Sequence, residues 1–256
     1  MMDISNVPGY QTFSHSNPMI PDYVPSDDIS TAAWQYCIDR LPTTIYNHSL
    51  RVFLLTRCLQ EASESLTAKP PMHSQQHVGW PTFSERSGSS GLSQEKYKSH
   101  RLSLLFVACM FHDFGTVRNT SDNTRFEIEG ADAALRFLQS YATVALDEKK
   151  EVWQAIALHS TPQVPERMGG LVELVRQAVR IDFRSDGVFD GHEYRRAWAD
   201  YFDNLVERGL VEQELGDAVV EQAIVHPKKA PDACWPGGLL RWKQAHSDSV
   251  GINGAF

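Results

Sequence analysis

The sequence predicts an all-α chain folded as one helical domain. Three observations carry this. Apolar residues recur at helical spacing in segment after segment, strand-type alternation is scarce, and the segments end at Pro, Gly or short polar runs. A length of 256 residues suits one large domain with a buried core and a sheltered pocket.

Residues 1–28, rich in Pro, Ser, Asn and Asp, read as an irregular N-terminal arm. Ser30 is a plausible N-cap for a first helix that Pro42 ends. A second helix runs from about Thr43 to Ser65, with His48, Val52, Leu55 and Leu59 on one face. Residues 66–94 are rich in Pro, Gly and Ser and read as a long loop insertion; its His73 and His77 read as surface histidines. The next helix, Gln94 to Asp113, is apolar nearly all round from Leu102 onward, which places it at the centre of the fold. Gly115 stands where a helix-terminating glycine is expected. Further helices are marked by Ala131, Ala134, Leu135 and Leu138, by Val152, Ile156 and His159, and by Leu171, Val175, Ala178 and Asp182. Two more are expected near 190–207 and 216–225. The helical domain therefore spans 29–226, followed by an irregular C-terminal tail at 227–256.

The formal charge of −8 argues against nucleic acid as a partner. No apolar stretch is long enough to span a membrane, and the N-terminus lacks the pattern of a secretory signal. Cys37, Cys58, Cys109 and Cys234 are widely spaced, which suggests neither a disulfide framework nor a cysteine zinc site. A reducing, cytoplasmic setting is expected. A homo-oligomer is compatible with the chain, whose sequence does not specify one.

Chemistry concentrates where polar ligand types interrupt apolar faces. Four helices each contribute: His48, the adjacent pair His112 and Asp113, His159, and Asp182. An aspartate in line with Leu171, Val175 and Ala178 is expensive to bury unpaired. Helical bundles build metal sites from side chains on facing helices. Neighbouring helical residues point about 100° apart, so His112 and Asp113 converge on one ion only where the helix ends.

The ordered set H…H-D…D, in N-H-S-L-R-V, F-H-D-F-G and V-R-I-D-F, resembles the HD-domain superfamily of metal-dependent hydrolases over roughly residues 29–210. The resemblance implies a helical bundle with His48, His112, Asp113 and Asp182 as ligands of a divalent metal in its core; Asp186 is the alternative last ligand. The ligand types suit Zn²⁺, with iron or manganese as alternatives. R-F-E-I-E-G-A and A-I-A-L-H-S-T add a narrower similarity to the cyanamide hydratase branch. That branch implies zinc-dependent addition of water to cyanamide, giving urea, and hence a small neutral substrate.

Such a lyase needs proton-handling groups beside the metal. His159 and Glu127 are the candidates, with Asp113 contributing from the ligand set; Glu129 reads as a helix first-turn carboxylate. A pocket for cyanamide is expected to be tight and apolar, walled by Phe111, Phe114, Phe126 and Thr161. The competing class is an HD-type phosphohydrolase acting on a nucleotide or small phosphate ester. It needs cations near the metal, for which Arg51, Arg118 and Arg125 are available. A di-iron oxygenase and a non-catalytic binding protein stand further back.

Overall fold

A computed structural model describes residues 23–67, 93–117, 123–185, 187–190 and 192–256. The described residues form nine α-helices and no strand. Most of the expected arm, most of the 66–94 insertion with His73 and His77, and also Arg118 and Asp186 lie outside the described residues.

Helix α1 (Asp28–Ile38) starts earlier than its expected cap. Asp27 caps it instead, accepting hydrogen bonds from the Ser30 backbone N–H at 3.0 Å and hydroxyl at 2.7 Å. A carboxylate takes both donors at once, which Ser30 in the cap position could not. Helix α2 (Thr43–Thr67) packs against α3 (Gln94–Phe111). Every residue of α3 from Ser103 to Phe111 is buried, because α1, α2, α4 (Phe126–Gln139), α5 (Leu146–Leu158) and α6 (Gly170–Asp182) surround it. A helix apolar on all sides has no face to offer water, so it becomes the axis of the bundle. Truncating Phe106 there would cost about 3–5 kcal/mol.

The end of α3 sets up the site. The last α-helical residue is Phe111; His112 and Asp113 form a turn, and Phe114–Val117 tighten into a 3-10 helix. The Thr116 N–H and hydroxyl both donate to the Asp113 carbonyl, at 3.0 and 2.7 Å. Gly115 serves a different purpose from the one expected. Its φ is not in the left-handed region; a Cβ there would stand 2.0 Å from the Phe126 carbonyl oxygen. At Gly130 a Cβ would stand 2.6 Å from the Phe111 carbonyl oxygen. These two glycines let α4 lie directly against the corner at His112 and Asp113.

Helices α7 (Glu193–Leu205) and α8 (Val211–Val225) complete the expected bundle. The tail does not remain irregular. Pro227–Lys229 form a 3-10 turn and Trp235–Ala245 form α9. Lys229 pairs with Glu129 at 2.8 Å, both buried, which fastens this segment to α4 and gives the first-turn carboxylate of Glu129 a partner. Trp235, Leu239 and Trp242 carry the helical spacing in this stretch, and Pro236 sits in the first turn, where its missing N–H costs nothing. No helix among the described residues is long and apolar enough to cross a membrane.

Candidate metal centre

His48 from the second turn of α2, and His112 and Asp113 from the turn that ends α3, form a buried group whose ligand atoms all lie within 4.8 Å of one another. Nε2 of His48 and Nε2 of His112 are 3.0 Å apart. Asp113 Oδ2 lies 3.2 Å from His112 Nε2 and 3.5 Å from His48 Nε2. His159, at the end of α5, brings its Nε2 to 3.4 Å from the other oxygen, Oδ1.

The outer nitrogens decide what these atoms can do. His112 Nδ1 is 2.6 Å from the Cys109 carbonyl, His159 Nδ1 is 2.7 Å from the Ile156 carbonyl, and His48 Nδ1 is 2.7 Å from Asp182 Oδ2. Carbonyls and carboxylates only accept, so each Nδ1 carries the hydrogen and each neutral imidazole turns a bare Nε2 lone pair inward. Three lone pairs therefore converge on a carboxylate, and Asp113 Oδ2 is buried without a hydrogen bond. Acceptors facing acceptors repel unless a cation stands among them. The donor set, imidazole nitrogens with one carboxylate, fits a divalent metal such as zinc, iron or manganese.

Electrostatics agree. Burial disfavours the charged form of His48 and lowers its pKa against the pull of Asp182. Burial opposes charge on His112 too, but the adjacent Asp113 carboxylate and the Cys109 carbonyl prevail and raise its pKa. Burial pushes the Asp113 carboxyl up, yet His112 and His159 hold it well below the usual carboxylate range.

Asp182 departs from its expected place among the ligands. It ends α6 behind His48, on the side away from the cluster. Arg51 Nε donates to its Oδ1 at 2.8 Å and Arg51 Nη2 to its Oδ2 at 3.0 Å. Arg51 and Asp182 are both fully buried, and Arg208 adds a contact at 3.4 Å. Burial alone would raise the Asp182 carboxyl, but His48 and Arg51 hold it low. Asp182 thus orients His48 and raises its basicity, as outer carboxylates do for metal-bound histidines. Arg51 is consumed by this pair.

A cavity of about 810 Å³ opens beside the cluster, and Asp113, His159, Ser160 and Thr161 line it. Thr161 lies on this cavity's wall. Phe111, Phe114 and Phe126 are not walls: Phe111 stacks on Tyr36 and Phe114 packs tilted against it, while Phe126 packs edge-on between His159 and Trp235. The aromatic walls are Phe183, Trp235 and Phe256; the last two come from the segment expected to be irregular, and Phe183 follows Asp182. Glu127 is fully buried and accepts from the Ser160 hydroxyl at 2.6 Å without reaching the cavity. Its bond to Ser160 positions the turn after His159. The cavity is larger and more polar than the tight apolar pocket expected; arginines ring it, Arg125 among them. The tail's part in the site was legible only as the spacing of Trp235, Leu239 and Trp242. Neither a family model nor a curated protein matches the chain.

Proposed function

We propose that this chain is a metal-dependent hydro-lyase that adds water to cyanamide or a related nitrile, giving urea or the amide. The observation that carries the reading is the unsatisfied Asp113 Oδ2 facing the Nε2 lone pairs of His48 and His112 at the edge of a cavity. His48, His112 and Asp113 would hold the cation, with His159 as the fourth donor or the proton carrier. A divalent cation held there supplies a Lewis acid that lowers the pKa of water from 15.7 to about 7.

The chain's own groups do the rest. Asp182 and Arg51 fix the imidazole of His48, so its Nε2 keeps one direction. The Ile156 carbonyl fixes the tautomer of His159, whose Nε2 is free to accept a proton from attacking water and return it to the nitrile nitrogen. The test is urea formation from cyanamide by the zinc-loaded protein, with His112→Ala as control. Rapid urea production lost in the variant supports the reading; no urea from a metal-replete sample sinks it.

One observation favours a second reading, phosphate ester hydrolysis. Arginines line the cavity that reaches the cluster, as a phosphate would need. Turnover of a generic aryl phosphate, with no urea from cyanamide, would select it.

A further inference from the structure

The chain carries a net charge of −8, yet its cavity wall presents Arg125, Arg176, Arg180, Arg184 and Arg241 against the carboxylates of Asp113 and Asp232. Arg184 is spent on Asp200 and Asp203, and Arg241 on Asp232. Two others hold open guanidinium edges. Arg176 donates Nε to Glu166 at 3.0 Å and Nη1 to the His159 carbonyl at 2.8 Å, which leaves its Nη2 without a partner among the described residues. Among the described residues Arg125 makes one ion-pair contact, Nε to Glu127 at 3.9 Å, which leaves both its Nη atoms open to them.

We infer that Arg125 and Arg176 form an anion subsite beside the cluster, and that the substrate carries a carboxylate or phosphate in addition to the group that reacts. Two bonds pin the Arg176 fork in place before any ligand arrives, and the second of them runs to His159, whose ring stands beside Asp113. A fork fixed in this way matches a planar or tetrahedral oxyanion and loses little freedom on binding. Bare cyanamide would use neither arginine and would fill a small part of the 810 Å³. The inference rests on the reading that cluster and cavity are one active site; it changes the substrate from a small neutral molecule to an anionic one.

The experiment is calorimetric titration of the full-length protein, zinc-loaded and EDTA-treated, with inorganic phosphate and with succinate. At least one anion binds in both metal states, and Arg125→Gln and Arg176→Gln each weaken it by roughly tenfold or more. Arg125→Lys, which keeps the charge and loses the fork, recovers part of the affinity. Tighter succinate points to a carboxylate-bearing substrate and tighter phosphate to a phosphate-bearing one. Zinc content equal to the parent's in each variant reports that the cluster is intact. The inference fails if the EDTA-treated parent binds neither anion, since the anion then sits on the metal. It also fails if both Gln variants stay within about twofold of the parent. Absence of urea from cyanamide would remove the hydratase reading and leave these affinities as they are.

Discussion

His48 and His159 flank the same carboxylate, and each is held by a hydrogen bond from Nδ1, yet their surroundings differ. His48 is backed by a carboxylate that Arg51 grips with two bonds, and all three side chains are fully buried. His159 is backed by a neutral carbonyl of its own helix and borders the cavity. A carboxylate behind an imidazole makes its free nitrogen a stronger donor to a cation and fixes it in place. A carbonyl sets the tautomer with less charge, and the open side gives access to water and substrate. Under the proposed function the difference would divide the labour, with the His48 side holding the cation and the His159 side working beside it.

The sharpest way to break this comparison is to delete each imidazole. His48→Ala is expected to abolish stoichiometric zinc, read by atomic absorption. His159→Ala is expected to keep the metal on the three remaining donors while cyanamide turnover falls by roughly 10²–10⁴-fold. Equal metal loss in both variants would make the two sides equivalent and end the distinction.

Arg51→Met tests the backing itself. It leaves Asp182 buried with a single imidazole and the more distant Arg208, at a cost of about 3–5 kcal/mol in urea unfolding. A cost under ~1 kcal/mol, the range of surface ion pairs, would mean that Arg208 or water replaces it. Asp182→Asn then separates an outer residue from a ligand. Zinc affinity is expected to weaken by roughly 10–100-fold, the usual effect of losing an outer carboxylate. Loss as complete as in His48→Ala would return Asp182 to the ligand set.

What was legible in the sequence follows the same divide. The helices and the inward positions of His48, His112, His159 and Asp182 show as interruptions of apolar periodicity, a local property of the chain. The apolar run before His112 announces a central helix, and α3 is one. What Asp182 touches was not legible, because Arg51 lies far away in sequence and a buried aspartate answers equally to a cation and to a guanidinium. The cavity was hidden for a related reason. Arg125, Arg176 and Arg241 stand on separate segments with no local pattern, so the chain shows no basic run while the fold gathers a basic wall. The tail was misread because Pro and Gly dominate its start, although Pro236 suits a first helical turn and Gly237 meets the Pro231 carbonyl, where a Cβ would stand 2.1 Å away.

The molecule also carries a partly exposed counterpart of the His48–Asp182 pair, which isolates the effect of burial. His100 Nε2 lies 3.1 Å from Glu148 Oε2, with both side chains about one-fifth exposed. Burial raises the Glu148 carboxyl, but His100 and the Ala145 N–H at 2.9 Å outweigh it, and its pKa falls below the ordinary 4.5. A carboxyl whose folded pKa is depressed stabilises the fold above its unfolded value and loses that contribution as pH falls through the folded one. The parent's stability advantage over Glu148→Gln should therefore be full above about pH 5 and shrink as pH falls below about 4.3. Water reaches this pair, so its size should stay under ~1 kcal/mol, against the several expected from Arg51→Met. Urea unfolding of both proteins from pH 7 to pH 3 measures it. A gap that grows on acidification would reverse the sign and assign the stabilisation to some group other than Glu148; a gap as large as that of Arg51→Met would show that burial is not what sets the His48 side apart.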